Sequence, residues 1–531
     1  MSLTNLYFLP FVAGVVLLYY TVFRKIQWIW LLAASIAFYL FAGPKYIVYI
    51  LASSAAAFFA ARRMNAVNDE EDAALEQEGL DKEQKKAIKR AFSKKRKGWL
   101  LLALIICIGI LAVIKYTDFF LRGVSKILAL GGVQWLKQFN FVLPLGISFY
   151  TFMIIGYVLD VYWKRYPAEK NYLKLLLFAS YFPHITQGPI GRYNKLSVQF
   201  SERHTFDYDK FTKGIQLMLW GFFEKMVIAD RLAVFYKGVF AEWQLLTGLP
   251  LIIALIFLSM QLYLDFRGCM DICRGVSEML GIDLDQNFAR PYFSKTMPEF
   301  WKRWHITLGA WFKDYLLYPI STSRLCKSIN KATRKKWGNA ASRALSTVIP
   351  AACVWLITGI WHGAAMCLVL WGIYHGILII GGALFGGFFQ KLGRALKINM
   401  ETWSFNLFRM IRTFILSAVG RVFFVSAGFS QAIKIIGRTF DLRHHSLYKL
   451  WDGSLYNYGL DRPNFILAIL LIVLIWAVGM MQERGIGIRD KIAEQNLVFR
   501  WAVYLGLIAA ILIFGMYGEG YDAAGFVYQQ F

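Results

Sequence analysis

Acidic side chains are scarce in this sequence of 531 residues, and so is charge in general. Aspartate and glutamate number 33 against 59 lysines and arginines, and 17% of the residues are charged. Hydrophobic residues instead make up 57% of the chain, and the mean hydropathy is +0.45. Because a soluble domain is usually just under half apolar, this composition excludes a soluble globular protein and indicates a membrane protein.

Cysteine is also scarce, with six residues in the whole chain. Cys269 and Cys273 are the one close pair, at the i, i+4 spacing of a helix. No second pair and no adjacent histidine accompanies them, so the pattern does not support a zinc site. Buried free thiols are the expected state, and no bound metal is predicted.

Three further patterns are missing from the sequence. Segments that alternate apolar and polar residues are absent, which excludes a membrane β-barrel and leaves helices as the spanning elements. The first apolar run has no basic flank before it and no A-x-A-like site, so it is predicted to remain as a helix. No internal repeat is found, which argues against a transporter built from two related halves.

Apolar runs close to the roughly 20 residues needed to span a bilayer recur along the chain. The clearest lie at 3–23, 26–43, 99–114, 250–264 and 465–481. Counting similar runs predicts an all-α polytopic membrane protein with about eleven spans, plus re-entrant or tilted helices around a central funnel. We expect residues 1–531 to form a single transmembrane domain, since spans share one lipid-facing exterior and no long linker separates independent cores.

The basic residues concentrate in the connections between apolar runs, and the connection 324–343 holds no acidic residue. Residues 62–98 are acidic in their first half and basic in their second, which predicts a helical hairpin lined with Glu–Lys pairs. The positive-inside rule places both segments in the cytoplasm, with the N-terminus and the connection 438–463 outside. Anionic lipid is the simplest partner of this charge. A nucleic-acid partner is not predicted, because no finger motif or basic groove interleaved with aromatics accompanies it.

Residues 298–320, PEFWKRWHITLGAWFKDYLLYPI, mix charged and aromatic side chains. Placed on a continuous helix over 298–318, the segment has one apolar face, and His305 belongs to it. The residues of that face are Trp301, His305, Leu308, Phe312 and Leu316. Two interpretations stay open: an amphipathic surface helix whose histidine packs, or a re-entrant helix that dips into the membrane.

His362 lies in an apolar run between Gly359 and Gly363. This G-x-x-x-G spacing permits the close approach of another backbone, and the glycines permit a break in the helix beside the imidazole. An ionisable group at such depth is costly unless it is paired or faces a cavity, so His362 is a functional candidate. The ordinary pKa of an imidazole, about 6.5, suits proton transfer near neutral pH.

Two further histidines lie in apolar surroundings. His375 follows thirteen residues after His362 and would point to a different side of a continuous helix, so a structural role is predicted for it. His184 lies beside Pro183 in SYFPHITQGPIGRY, a stretch that indicates a loop or a broken helix lining a cavity. Hydrogen-bonded packing is the alternative for its imidazole.

Several motifs occur in a characteristic order along the chain. They are PLGISFYTFMIIGYVLDVY at 144–162, YFPHITQGPIGRY at 181–193, QLYLDFRGCMDICRGVSEMLGI at 261–282, NFARPYFSKTMPEFWKRWHITLGAWFKDYLLYPI at 287–320, and then TGIWHGA and WGIYHG. Together they resemble the membrane-bound O-acyltransferase (MBOAT) family, and within it the proteins of alginate and other exopolysaccharide O-acetylation. The resemblance weakens after residue 382: VGRVFFVSA at 419–427 lacks an arginine after its phenylalanine pair, and the tail at 526–531 has Gln529 where an aromatic is usual.

The resemblance implies that His362, in the W-H-G motif, is the catalytic histidine. It also implies that His305, in the F-W-x-R-W-H-I motif, is the partner of His362. A further set of residues is predicted to bind the donor or to line its tunnel. These candidates are Trp361, Trp304, Arg303, Lys302, Asp314 and His184.

The activity that the resemblance implies is acyl transfer in the cell membrane, with cytoplasmic acetyl-CoA or an acyl-thioester carrier as donor and no covalently bound cofactor. The expected acceptor is a secreted polysaccharide, reached directly or through an extracytoplasmic relay protein. Such chemistry needs a base near the hydroxyl, stabilisation of the carbonyl oxygen and exclusion of water. D-Alanyl transfer to teichoic acid from a carrier-protein thioester is the alternative within the family. A multi-span transporter and a non-catalytic scaffold of a polysaccharide synthase are alternatives of other classes.

Overall fold

The computed structural model describes residues 3–5, 7–130, 139, 141–441 and 447–517. Within these ranges the regular structure is helical, and the one β-type pairing is an isolated antiparallel bridge between Phe288 and Trp304. The prediction of an all-α membrane protein is confirmed. The tail at 526–531, with Gln529, lies outside the described residues.

The helices alternate between long apolar ones and short ones. The first half of the described chain contains α1 (Phe8–Tyr20), α2 (Gln27–Ala42), α3 (Ile47–Leu75), α4 (Lys82–Leu130), α5 (Ile147–Tyr162), α6 (Tyr172–Ser180), α7 (Phe182–Ile185), α8 (Tyr193–Ser201), α9 (Tyr208–Phe222), α10 (Asp230–Ala241) and α11 (Leu249–Met279). The second half contains α12 (Met297–Arg303), α13 (Ile306–Phe312), α14 (Tyr318–Thr322), α15 (Arg324–His362), α16 (Met366–Ala395), α17 (Trp403–Val425), α18 (Phe429–Thr439), α19 (Arg462–Glu483), α20 (Ile488–Ala493) and α21 (Leu497–Phe514). Short 3₁₀ turns lie at Pro44–Tyr46, Trp243–Leu245, Pro291–Phe293, Leu447–Leu450 and Ser454–Asn457, and π-helical stretches at Phe223–Ala229 and Lys313–Leu317.

Seven helices of the described residues are long and apolar enough to cross a membrane. They are Pro44–Leu75, Lys82–Ser125, Leu249–Met279, Arg324–His362, Met366–Ala395, Arg462–Glu483 and Leu497–Phe514. The apolar window of α11 is 78% buried, against at most 33% in the other six, so α11 is covered by protein on most sides. α1, α2 and α5 are shorter apolar helices. The predicted number of about eleven spans stays a prediction.

The chain divides into two compact units. The first consists of Met1–Ile215 and Cys273–Asp285, and the second of Gln216–Ile272 and Gln286–Phe531. His184 belongs to the first unit, whereas His305 and His362 belong to the second. The single membrane domain, the cytoplasmic position of 62–98 and the external position of 438–463 stay predictions.

Residues 62–98 form the helical hairpin that their charge pattern predicts. The end of α3 and the start of α4 are its two arms. Asp81 and Gln84 begin α4 with a reciprocal cap: Asp81 Oδ1 accepts from the Gln84 N–H at 2.6 Å, and Gln84 Oε1 accepts from the Asp81 N–H at 3.0 Å. Arg96 of the basic half pairs with Glu71 of the acidic half. The opposite charges of the two halves therefore meet across the hairpin.

The continuous helix predicted over 298–318 is wrong. Thr296 caps α12 by accepting from the Glu299 N–H at 3.2 Å, but α12 ends at Arg303. Trp304 is extended, and His305 has a left-handed backbone with φ of +49°, so α13 begins anew at Ile306. A left-handed conformation is unfavourable for a residue with a side chain, so tertiary contacts fix this break rather than local preference.

The basic segment 324–343, expected to be a loop, is the first half of helix α15. The Ser323 hydroxyl starts this helix by accepting from the Cys326 N–H at 3.2 Å. A kink at Gly338, where φ is +81°, separates the basic half from the apolar half. The cap and the absence of proline before Pro350 explain why the segment is helical.

The turn between α15 and α16 has the two features that its glycines predict. α15 ends at His362 and is capped by Gly363, so the predicted break beside the imidazole is confirmed. A Cβ on Gly359 would lie 2.6 Å from the carbonyl oxygen of Leu368, which confirms the predicted close approach of another backbone. That backbone belongs to α16.

Candidate active site

A short backbone pairing sets the geometry around His305. The segment 287–289 pairs with 303–306 through two N–H···O bonds of 2.9 Å. Phe288 and Trp304 form the antiparallel bridge of this pairing. Because the segment 303–306 is held on both sides of the bridge, His305 keeps its left-handed conformation at the point where α12 ends.

The imidazole of His305 is 3% exposed. Its Nδ1 lies 3.2 Å from the Oδ1 of Asn287, and its ring meets Phe266 edge to face with centroids 4.9 Å apart. His305 lies in the turn between α12 and α13, outside the helices long enough to cross a membrane, and burial lowers the pKa of its imidazole to about 3. The ring is therefore neutral at physiological pH.

His362 is the last residue of α15 and is buried. Its ring contacts three aromatic rings, with centroid distances of 4.9 Å to Trp361, 4.8 Å to Trp371 and 5.3 Å to Phe424. These rings come from α15, α16 and α17. An aromatic environment of this kind excludes water and strengthens electrostatic interactions at the imidazole.

The indole of Trp361 contacts both candidate histidines. Its ring centroid lies 6.2 Å from that of His305 and 4.9 Å from that of His362. The structure thus brings together two histidines that are 57 positions apart in the sequence. Trp304, also a candidate, is buried next to His305 and stacks on Phe300 at 5.6 Å. The catalytic roles of these residues stay predictions.

The helical projection predicts that His375 points away from His362, but the structure brings both side chains to one tryptophan. The ring of Trp371 contacts both histidines, with centroids 4.8 Å from His362 and 4.9 Å from His375. The projection fails because the helix breaks at Gly363, so the spacing of thirteen residues does not follow one helical axis. His375 also contacts Trp301 of α12 at 4.8 Å. We call the three histidines and the aromatic rings that contact them the histidine cluster: His305, His362, His375, Phe266, Trp301, Trp361, Trp371 and Phe424.

α17 contributes to the histidine cluster, although the resemblance weakens there. A Cβ on Gly420 would lie 2.5 Å from the Nε2 of His375, so α17 approaches this imidazole as closely as a backbone can. One turn later, Phe424 contacts His362. The stretch 419–427 that departs from the family pattern therefore lies against the histidines.

Arg421 is a residue of the site that the sequence analysis did not single out. Its side chain is buried, and its guanidinium carbon lies 4.9 Å from the ring centroid of Trp304 and 5.4 Å from that of Tyr292. The Nη1 donates to the Ser417 hydroxyl at 3.1 Å. The signal was present in the sequence, because an ionisable residue inside an apolar run is a functional candidate by default.

The charged candidates of the 298–320 segment lie at its surface. Arg303 forms ion pairs of 2.8 Å with Glu299 and with Glu483. Lys302 is exposed, and Asp314 is half-buried in the π-helical stretch Lys313–Leu317. The charge of Arg303 is therefore compensated by two carboxylates, which limits its attraction for other anions.

His184 lies in the first unit, on the one-turn helix α7, which starts at Phe182 and has Pro183 as its second residue. The imidazole is fully buried, and its Nε2 lies 3.0 Å from the carbonyl oxygen of Phe178. The hydrogen-bonded packing given as the alternative describes this environment. A donor or tunnel role for His184 stays a prediction.

A second group of buried polar residues in the second unit is ionic. Lys225 Nζ lies 2.7 Å from Asp230 Oδ1 and 2.5 Å from Asp265 Oδ1. Arg267 adds contacts of 3.3 Å to Glu224 and 3.5 Å to Asp271. Glu224 and Lys225 lie in the π-helical stretch Phe223–Ala229. We call Glu224, Lys225, Asp230, Asp265, Arg267 and Asp271 the ionic cluster.

Comparison with known proteins agrees with the motifs. The profile described as "MBOAT, membrane-bound O-acyltransferase family" matches residues 167–333, which include His305 and end before His362. A protein of Pseudomonas putida named probable alginate O-acetylase AlgI is 32% identical over 380 residues, which is 72% of this chain and 72% of that protein. The peptidoglycan O-acetyltransferase of Helicobacter pylori is 29% identical over 66% of this chain and 63% of its own length. The teichoic acid D-alanyltransferase of Bacillus subtilis is 28% identical over 45% of this chain and 59% of its own length.

Proposed function

The chain belongs to the membrane-bound O-acyltransferase family, and from this premise we propose that it transfers an acyl group to a hydroxyl within the membrane. The acyl group is acetyl, the donor is cytoplasmic acetyl-CoA, and the acceptor is a secreted polysaccharide. The observation that carries the proposal is the contact of His305 and His362 with the same buried indole, that of Trp361. The names of the alginate and peptidoglycan relatives support a polysaccharide acceptor.

In the proposed reaction His362 is the general base. Its imidazole takes the proton of the acceptor hydroxyl as the oxygen attacks the thioester carbonyl. The carbon–sulfur bond then breaks, and the thiolate leaves with the proton that the imidazole took up, which gives an ester and a free thiol. His305 either orients His362 or hydrogen-bonds the carbonyl oxygen.

The surroundings of the histidines suit this chemistry. Water competes with a sugar hydroxyl for a thioester, so the reaction needs a site from which bulk water is excluded. His305 and His362 are 3% and 4% exposed, and their rings meet aromatic side chains such as Phe266 and Trp371 edge to face. Both imidazoles therefore lie where a proton transfer is shielded from bulk solvent.

The donor is expected to approach the exposed basic residues in the first half of α15. The exposed cations of α15 include Lys327, Lys331 and Arg334, and they can attract the phosphates of coenzyme A by charge alone. Anionic lipid headgroups are attracted by the same charge, so this surface has two candidate ligands. The ion pairs of Arg303 make Arg303 a weaker candidate than these exposed residues.

The proposal is tested with purified protein in lipid nanodiscs and acetyl-CoA labelled in the acetyl group. We expect thioester turnover that rises with added polysaccharide or with an extracytoplasmic relay protein, and that is lost in His362→Ala. His204→Ala is the matched control, because His204 lies in the first unit and its Nε2 contacts a backbone carbonyl, that of Gln199, at 2.7 Å. Full turnover in His362→Ala contradicts the proposal.

The same assay separates the alternatives. Turnover of D-alanyl carrier-protein thioester, without turnover of acetyl-CoA, identifies the D-alanyl branch. A transporter shows no thioester turnover with either donor. A non-catalytic scaffold leaves acetylation intact in His362→Ala cells, whereas deletion of the protein abolishes it.

A further inference from the structure

Asn287 gathers hydrogen-bond donors around one side-chain atom. Its Oδ1 lies 3.0 Å from the backbone N of Thr307, 3.0 Å from the Thr307 hydroxyl and 3.2 Å from the Nδ1 of His305. Asn287 is 1% exposed, so its amide group cannot turn towards solvent. These contacts involve residues of the second unit alone.

The Thr307 backbone decides which amide atom faces His305. A backbone N–H can only donate, so the Asn287 atom 3.0 Å from it must be the carbonyl oxygen and not the NH₂ group. The remaining amide nitrogen, Nδ2, faces the sulfur of Met270 at 3.4 Å, a weak acceptor. Both ends of the amide are therefore assigned by their neighbours.

The orientation of Asn287 in turn fixes the proton on His305. A carbonyl oxygen only accepts, so the Nδ1 that faces it must carry hydrogen. Burial keeps the ring neutral by lowering the pKa of this imidazole, and a neutral imidazole carries one proton. The proton on Nδ1 therefore leaves Nε2 with its lone pair, as a proton acceptor.

The backbone makes this arrangement rigid. The carbonyl oxygen of Asn287 accepts from the Ile306 N–H at 2.9 Å, so the residue is fixed at its main chain and at its side chain. His305, between Trp304 and Ile306, has the left-handed conformation described above. Asn287 thus fixes the backbone conformation of the segment that carries His305, and it also fixes the tautomer of the His305 imidazole.

We propose that Asn287 is a positioning residue for acyl transfer, which holds His305 in the Nδ1–H tautomer so that Nε2 acts as a hydrogen-bond acceptor during the reaction. This inference rests on the proposed function and assigns one of the two roles left open for His305. A neutral Nδ1–H imidazole has no hydrogen on Nε2, so Nε2 does not donate to the thioester carbonyl. His305 instead accepts a hydrogen bond at Nε2, which is the orienting role, with the N–H of His362 as the donor.

The proton balance is unchanged by this assignment. The acceptor hydroxyl loses one proton to the imidazole of His362, its oxygen forms the new carbon–oxygen bond, and the carbon–sulfur bond breaks. The departing thiolate takes the proton back from the imidazole that holds it. Both rings return to neutral, and Nδ1 of His305 keeps its hydrogen throughout.

The direct test is ¹⁵N NMR of protein labelled in its histidines, in nanodiscs and without substrate. The His305 signals are identified by their loss in His305→Gln. We expect a protonated Nδ1 and an unprotonated Nε2 in the native protein, and a mixture of tautomers in Asn287→Ala. Thr307→Val is the matched control, because it removes one neighbour of Oδ1 but leaves the amide beside His305. A proton on Nε2 in the native protein, or an unchanged tautomer in Asn287→Ala, overturns the proposal.

A kinetic test uses the rescue of function by a second acceptor. Loss of a residue that orients a reactive side chain typically costs about 10- to 100-fold, and we expect such a fall in kcat for Asn287→Ala with little change in the KM for the donor. Asn287→Asp keeps an oxygen beside Nδ1 and is expected to recover most of the kcat. An unchanged kcat in Asn287→Ala, or an Asp variant as slow as the Ala variant, contradicts the positioning role.

These two tests separate the inference from the proposed function. The NMR measurement needs no turnover, so it reports on the tautomer even if the protein transfers no acyl group. If Asn287→Ala does not fold, Asn287→Asp and the native protein still give the tautomer. A native protein with the Nδ1–H tautomer and no thioester turnover rejects the acyltransferase function and leaves the structural role of Asn287 in place.

Discussion

The ionic cluster and the histidine cluster are both buried polar regions of the second unit, but their polar side chains have different kinds of partner. In the ionic cluster, cations and carboxylates face each other, as Lys225 does with Asp230 and Asp265. In the histidine cluster, imidazoles contact aromatic rings, as His362 does with Trp371 and Phe424. The first region compensates charge with opposite charge, whereas the second places imidazoles, a side-chain type suited to proton transfer, among aromatic rings.

This difference predicts which region serves stability and which serves chemistry. Removing one member of a buried ion pair leaves the opposite charge without compensation. Substitutions in the ionic cluster should therefore lower the free energy of unfolding. Removing an imidazole from an aromatic environment leaves no charge behind. The histidine cluster should therefore respond in the reaction rate.

The largest expected effect is on catalysis, in His362→Ala. General acid–base catalysis typically contributes about 10²- to 10⁴-fold, so we expect acyl-transfer turnover to fall by that factor. The thermal unfolding midpoint in nanodiscs should change little by comparison. A variant that loses activity only because it unfolds at the assay temperature would remove the distinction between the two clusters.

Next in size is the effect of Lys225→Met on stability. The variant leaves Asp230 and Asp265 without the ammonium group that lies within 2.7 Å of both. Breaking a buried pair in this way typically costs about 3–5 kcal/mol, which a denaturant titration in detergent measures as a lower unfolding midpoint.

The triple variant Lys225→Met, Asp230→Asn, Asp265→Asn is the control for this measurement. It removes the charges together, so we expect it to recover much of the lost stability. If Lys225→Met is as stable as the native protein, the ionic cluster does not have the structural role assigned to it.

A smaller effect is expected for Gly420→Ala, which probes the packing of α17 on the histidine cluster. The added methyl would lie 2.5 Å from the Nε2 of His375, so a side chain or the helix must move. Overpacking of this kind typically costs about 1–3 kcal/mol. Gly381→Ala on α16 is the matched control, because no atom lies within 4 Å of its added methyl. Equal unfolding midpoints for the two variants would contradict the close contact.

The smallest effect is expected for Arg303→Gln, whose ion pairs lie at the surface. Such pairs contribute about 0–1 kcal/mol, so the unfolding midpoint should change little. The KM for acetyl-CoA should also stay within a few-fold of the native value, because Glu299 and Glu483 already compensate this charge. A rise in KM above tenfold at unchanged stability would instead identify Arg303 as a contact of the donor.

Much of the fold follows from local patterns in the sequence. The apolar runs predict membrane helices, the charge halves of 62–98 predict their hairpin, and Gly359 predicts the close approach of α15 and α16. These features depend on neighbours in the chain or on the space that a missing side chain leaves. The motif segments likewise lead to His305 and His362 before any coordinate is known.

The errors of the sequence reasoning occur where the chain leaves regular geometry. A helical projection over 298–318 assumes one axis, but the pairing of 287–289 with 303–306 ends the helix at Arg303. The projection that separates His375 from His362 fails in the same way at Gly363. Asn287 was missed because its importance depends on its contact with His305, which local sequence does not encode.

The sequence by itself determined that this chain is a helical membrane protein of the MBOAT family, because apolar length and motif order are local properties that survive in any conformation. Only the tertiary structure decided that three histidines share one aromatic cluster and that Asn287 fixes the proton on one of them. Hydrogen-bond direction depends on which groups face each other across the fold, and that information exists only once the distant segments 287–289 and 303–306 have paired.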